Sequence, residues 1–182
     1  MERDIYTEEH ELFREAYRTF IEREMVPHRE KWELDGIVDP AVFRAAGEAG
    51  FLGMGIPEEY GGSGVKDFRY NNVVIQELCR ADMNAAGLGI TLHTDVCMPY
   101  FVENCNEEQK RRWLPGIASG EKITAVAMTE PGMGSDLASM ATTAIRDGDE
   151  YVLNGSKTFI TNGINSELIV VAAKTDPQER HK

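Results

Sequence analysis

The sequence predicts an α+β protein, with an all-α N-terminal domain over residues 1–120 and an antiparallel β domain, incomplete, over residues 121–182. Three observations predict it. Apolar residues recur at helical spacing through the first two thirds of the chain. After Gly120 the composition turns to short runs of strand-forming residues. Two tight-turn dipeptides, Asp147-Gly148 and Asn154-Gly155, then punctuate those runs.

Thr7 can cap a first helix whose opening turn carries Glu8 and Glu9, negative charge against the positive helix end. Leu12, Phe13, Ala16, Tyr17, Phe20 and Ile21 form its apolar stripe to about Met25, and Pro27 ends it. Asp39-Pro40 is a cap followed by proline at the first helical position. It opens a second helix with Val42, Phe43, Ala46 and Ala49 inward, stopped by Gly50. Residues 51–64 hold too much glycine for a helix and read as an ordered loop. A third helix starts near Asp67 and carries Tyr70, Val73, Val74 and Leu78. A fourth runs from about Asn84 to Val102 and begins on Ala85, Ala86, Gly87 and Gly89. Asn106-Glu107-Glu108-Gln109 is a capping-box pattern for a fifth, with Trp113 and Leu114 inward and Pro115-Gly116 near its end. Residues 123–128, 151–153, 158–161 and 168–172 then read as strands. Three or four strands with an open sheet face rarely complete a domain. With its polar ending Glu179-Arg180-His181-Lys182, the chain is therefore expected to be a fragment, or to take its partner surface from elsewhere.

The formal net charge is -12, from 31 acidic and 19 basic residues. That excess argues against nucleic acid and against an anionic membrane surface, both of which need clustered Lys and Arg. Cys79, Cys97 and Cys105 show no CxxC spacing and read as free thiols of a reducing compartment. Met1-Glu2-Arg3-Asp4 lacks the basic and apolar regions of a secretory signal. No apolar run approaches the ~18 residues of a membrane span. A soluble, cytoplasmic protein is expected. His10, His28, His93 and His181 have no metal spacing, so no metal site is expected, and His93 reads as a packing histidine. No Ser/His/Asp order is legible.

Two segments carry the chemistry. Val126-Ala127-Met128-Thr129 is a strand that stops in the turn Glu130-Pro131-Gly132-Met133-Gly134-Ser135-Asp136. Lys157-Thr158-Phe159-Ile160-Thr161-Asn162-Gly163 follows at a distance. The second segment reads as a strand, so Phe159 and Thr161 point to one face and can address one object, the ring by stacking and the hydroxyl by hydrogen bonding. A planar heteroaromatic cofactor with a phosphate tail is such an object. Singly these features say little. Thr129 reads as a turn residue, Ser135-Asp136 as a cap or Asx turn, and Gly132 and Gly134 as backbone requirements. Neither a G-x-G-x-x-G fingerprint nor a Walker A motif is present.

Together, in order, residues 127–136 and 153–163 closely resemble the acyl-CoA dehydrogenase family. Pro57-Glu58-Glu59-Tyr60-Gly61-Gly62 is similar to that family's loop after its second helix, and Glu107-Glu108-Gln109-Lys110 with Leu114-Pro115 to its fifth-helix signature. The long-chain branch looks nearest, through Asn154-Gly155-Ser156-Lys157 and the stretch from Gly89 to His93. The resemblance implies FAD as cofactor and α,β-dehydrogenation of acyl-CoA thioesters. It implies Val126, Ala127, Met128 and Thr129 along the flavin's pyrimidine side, with Gly134 and Ser135 near the diphosphate and the CoA portion. Phe159, where many members have tryptophan, would pack on the flavin ring beside Ile160, and Thr161 would bond near N5. Gly89 would help set the depth of the acyl tunnel, which leans the reading to medium or long straight chains, although helix packing explains that glycine equally. The catalytic carboxylate belongs to a C-terminal helical bundle, so the base is expected beyond Lys182 and no catalytic residue within this chain. Glu130 reads as a turn contact rather than the base. An electron-transfer flavoprotein is the implied electron acceptor, and a homo-oligomer, tetramer or dimer, the implied complete state. An acyl-CoA oxidase or flavin monooxygenase of the same fold, or a non-catalytic flavin- or CoA-binding half-subunit, are the alternatives.

Overall fold

The computed structural model describes residues 5–176. The N-terminal tetrapeptide and the polar ending at 179–182 therefore lie outside the described residues, as does His181. Seven α-helices come first: α1 (Glu8–Phe20), α2 (Arg29–Asp35), α3 (Ala41–Glu48), α4 (Arg69–Arg80), α5 (Asn84–Thr91), α6 (Met98–Asn104) and α7 (Glu107–Ser119). Four strands follow: β1 (Thr124–Ala127), β2 (Thr143–Asp147), β3 (Glu150–Asn154) and β4 (Leu168–Val171).

Pro27 does not end the helical path. After α1 the chain widens into a π-turn over Ile21–Met25, and Pro27 enters a 3-10 turn, Val26–His28, that leads into α2. Proline lacks only the N–H that a new helical start leaves unpaired, so it suits this position. The added helix buries Trp32. Pro115 sits near the end of α7, as expected, and the helix runs on to Ser119. Gly120 stops it with φ +75°, where a Cβ would lie 2.2 Å from the Phe43 carbonyl oxygen. The capping box forms as its pattern predicts: the Gln109 N–H donates to Asn106 Oδ1 at 2.9 Å and the Asn106 N–H to Gln109 Oε1 at 3.0 Å.

Burial follows the helical stripes. One core joins α1, α3 and α4 through Tyr17, Ile21, Met25, Phe43, Leu52 and Val74. A single buried carboxylate fastens α1 to α4. Glu77 accepts from Arg18 at 2.8 Å, Arg80 at 2.9 Å and Arg14 at 3.2 Å. Burial pushes this carboxyl up, but the three guanidiniums outweigh it and hold it down to about 2.

The sheet region is smaller and only partly as predicted. β2 and β3 pair antiparallel across Asp147-Gly148-Asp149-Glu150. β1 and β4 pair parallel, Thr124 opposite Leu168, across a connection that contains the hairpin. Leu168 and Val170 face a second helical core of Ile56, Cys97, Phe101, Leu114 and Ile117. Ile169 and Val171 alternate to the open face. His93 bolts this sheet to the helices. Its Nε2–H donates to the Ile117 carbonyl at 3.0 Å, and Nδ1 accepts the Thr124 N–H at 3.1 Å. A neutral ring with the proton on Nε2 satisfies both, which is the packing role its apolar surroundings predict. Among the described residues no helix is long and apolar enough to cross a membrane.

Candidate functional site

The two segments singled out in the sequence meet in space. β1 carries Val126 and Ala127 and continues through Met128 and Thr129 into the turn at Glu130. That turn closes tightly, with the Glu130 N–H donating to Met133 O and the Met133 N–H to Glu130 O, both at 3.1 Å. Against it lies the stretch from Lys157. Lys157 Nζ donates to Met128 O and to Glu130 Oε1, each at 2.9 Å, and the Thr158 N–H donates to Thr129 O at 3.0 Å.

Residues 158–161 are not a strand. The chain leaves β3 at Asn154 and enters a loop and turn, with Phe159 at φ +56° and Asn162 at φ +64°. Left-handed residues break the pleat, so the two-residue alternation that set Phe159 and Thr161 on one face does not apply. The conformation does something else: it turns the Phe159 ring outward, 91% exposed. Ile160 and Thr161 stay half-buried behind it.

Glu130 is fully engaged. Its carboxylate accepts the Ala141 N–H at 2.7 Å, the Thr142 N–H at 2.9 Å and the Lys157 ammonium. Thr142, the Ala141 amide and Lys157 together hold the carboxyl down to about 2. A group so stabilised as the anion is a poor proton acceptor. Gly134 and Ser135 are exposed beyond the turn. Among the described residues, no hydrogen bond joins them to the 157–161 stretch, and no protein group accepts the N–H of Gly132, Gly134 or Ser135. A Cβ built on Gly132 or Gly134 would meet nothing within 4 Å. Exposed, unused amide donors suit an anionic group.

Gly89 lies on α5 beside the same stretch. It lines a cavity of about 250 Å³ with Ala85, Ala86, Ile160 and Thr161. A Cβ on Gly89 would sit 2.4 Å from Asn162 Oδ1. Asn162 donates its amide to Gly89 O at 2.9 Å and to Thr124 O at 3.1 Å. Glu130 makes the turn contact expected of it, whereas Lys157 and Asn162 are fastening residues that sequence reasoning missed. The available signal was a lysine and an asparagine bracketing an apolar and hydroxyl run.

Residues 7–121 match the acyl-CoA dehydrogenase N-terminal domain, and residues 125–182 the acyl-CoA dehydrogenase middle domain. The chain belongs to the acyl-CoA dehydrogenase family. The long-chain specific acyl-CoA dehydrogenase of Sus scrofa mitochondria is 42% identical over 178 residues, 98% of this chain and 41% of that protein. The crystal structure of an acyl-CoA dehydrogenase from Geobacillus kaustophilus superposes with a TM-score of 0.92 at 49% identity, covering 98% of this chain and 46% of that one. A glutaryl-CoA dehydrogenase from Mycobacterium smegmatis, solved in complex with FADH2, superposes with a TM-score of 0.83 at 30% identity, over 94% of this chain and 44% of that one. The chain therefore spans less than half the length of these acyl-CoA dehydrogenases.

Proposed function

We propose that the protein is an FAD-dependent acyl-CoA dehydrogenase that converts fatty acyl-CoA thioesters to trans-2-enoyl-CoA. The carrying observation is the docking of Lys157 and Thr158 on Met128, Thr129 and Glu130, which leaves the Phe159 ring exposed near a turn of unused amide donors. These residues fit a flavin nucleotide: a flat surface for the ring system, short hydroxyl side chains at its edge, and N–H groups for the phosphates. In this reading Phe159 packs on the ring system beside Ile160, and the Thr161 hydroxyl bonds near N5. Residues 126–129 line the pyrimidine side, where the Thr129 hydroxyl and neighbouring amides offer fixed donors to negative charge. Gly134 and Ser135 hold the diphosphate and the CoA portion of the substrate. When bound, FAD supplies the hydride acceptor that no side chain can provide.

The α-proton requires a carboxylate, and Glu130 is committed to its amide and lysine partners. We assign the base to residues outside the described chain, and infer that residues 1–182 alone do not turn over. Electrons pass on to an electron-transfer flavoprotein rather than to oxygen, and the complete protein is a homo-oligomer. The full-length protein should purify with flavin absorbance that bleaches anaerobically on adding a medium- or long-chain acyl-CoA. Residues 1–182 alone should show no turnover. A flavin-free full-length protein, or rapid oxidation by residues 1–182, would overturn the reading. Oxygen consumption matching the bleaching would point to an oxidase instead.

Chain length is better tested at Ala86 than at Gly89. Both line the cavity behind Thr161, but a side chain on Gly89 also displaces Asn162. Ala86→Leu fills that cavity with three extra carbons, each worth about 0.8 kcal/mol of apolar contact. The expected result is a shift of kcat/KM toward shorter acyl chains by about tenfold or more, measured across a chain-length series. An unchanged profile would remove this cavity from the acyl site.

A further inference from the structure

Phe159 is an unusual occupant of the left-handed region, because a bulky side chain is disfavoured there while Asn and Gly are tolerated. Such a conformation persists only where the surroundings fix it. The chain's own contacts do so on both sides. Upstream, Lys157 and the Thr158 N–H tie the segment to Met128, Thr129 and Glu130. Downstream, the Asn162 amide reaches two carbonyls on different elements, Gly89 O of α5 and Thr124 O of β1. Both Nδ2 protons are used, and Asn162 also accepts the left-handed backbone that the turn requires. The α5 side admits this amide only because position 89 has no side chain, since a Cβ there would overlap Oδ1 at 2.4 Å. Three residues further on, Asn165 donates to Val38 O at 2.8 Å and extends the attachment.

We propose that Asn162 is a positioning residue whose amide, bridging Gly89 O and Thr124 O, holds the Phe159 ring and the Thr161 hydroxyl in place independently of any bound flavin. This rests on the reading of residues 158–161 as a flavin cradle. It explains how a loop, with no ladder of strand hydrogen bonds, keeps a ring and a hydroxyl fixed to the accuracy that a redox cofactor needs. Gly89 acquires a second role, as the gap that receives Asn162.

The test uses the full-length protein stripped of cofactor, then reloaded with FAD. In the wild-type apoprotein, hydrogen exchange at the Thr158 amide should be as slow as in β1; fast exchange there would overturn the proposal. Asn162→Gly keeps the left-handed backbone and removes the amide. It should speed exchange across residues 158–163 and raise the FAD dissociation constant about tenfold or more, with a shifted flavin absorption band. Asn162→Asp, with the same shape but no donor, should do the same, and Gly89→Ala should reproduce the loss from the opposite side. Variants that exchange and bind FAD like wild type would show that the amide positions nothing. A wild-type protein with no affinity for FAD would defeat the flavin reading alone, because exchange in the apoprotein still decides whether Asn162 holds the loop.

Discussion

Replacing His93 with phenylalanine should cost roughly 2–6 kcal/mol at pH 7, because it orphans two buried backbone groups at about 1–3 kcal/mol each. The groups are the Thr124 N–H and the Ile117 carbonyl, which the imidazole joins across the helix–sheet junction. The same ring should make the wild-type protein acid-sensitive. Burial disfavours the imidazolium and pushes His93 down to about 4, with the Ile117 hydrogen bond opposing. Its ordinary value is 6.5. Between those values the unfolded chain binds the proton more readily than the folded one. Stability from this group is therefore complete above pH 6.5 and is lost as pH falls toward 4, by about 3 kcal/mol in total. Urea midpoints measured from pH 7.5 to 4 should fall for wild type more steeply than for His93→Gln, which keeps a donor and an acceptor but cannot titrate. Parallel curves would show that His93 is not the group responsible.

The helices were legible because their signals are local. The stripe from Leu12 to Ile21, the Asp39-Pro40 start and the Asn106 capping box each lie within a few residues, and each structure lies where its signal predicts. Pro27 misled for a physical reason: a proline forbids one hydrogen bond, and a helical path can spare it at a turn between segments. The strand expected at 158–161 failed differently. Thr-Phe-Ile-Thr has strand composition, but composition does not say whether a free sheet edge is available. The edge went to β4, paired in parallel with β1 some 40 residues away, a partner no local pattern announces. What shapes 158–161 instead is side-chain chemistry to distant carbonyls, from Lys157 and Asn162. The meeting of the two motifs was legible from their joint resemblance to one family; the residues that fasten them were not.

Lys157→Met should be the most damaging single change at this junction, and its effect should depend on Glu130. The two side chains are nearly buried, 12% and 6% exposed. Removing the ammonium leaves a carboxylate with two amide donors but no counter-charge, and an unpaired buried charge is far costlier than an absent pair. The Met128 carbonyl loses its donor as well, so the attachment of Thr158 to Thr129 should loosen. In the full-length protein we expect a large fall in melting temperature and at least about tenfold weaker FAD binding. The pH dependence carries the sign. Thr142, Ala141 and Lys157 hold Glu130 down to about 2 against its ordinary 4.5. The stability contributed is complete above pH 4.5 and is lost as pH falls toward 2. The gap between wild type and Lys157→Met should therefore narrow below pH 4.5, a window that opens where that of His93 is nearly closed. Adding Glu130→Gln to Lys157→Met should recover stability, since the pair then leaves no charge behind. If the double variant is as unstable as the sum of the two single ones, the ammonium and the carboxylate are not coupled, and the junction owes its geometry to backbone bonds alone.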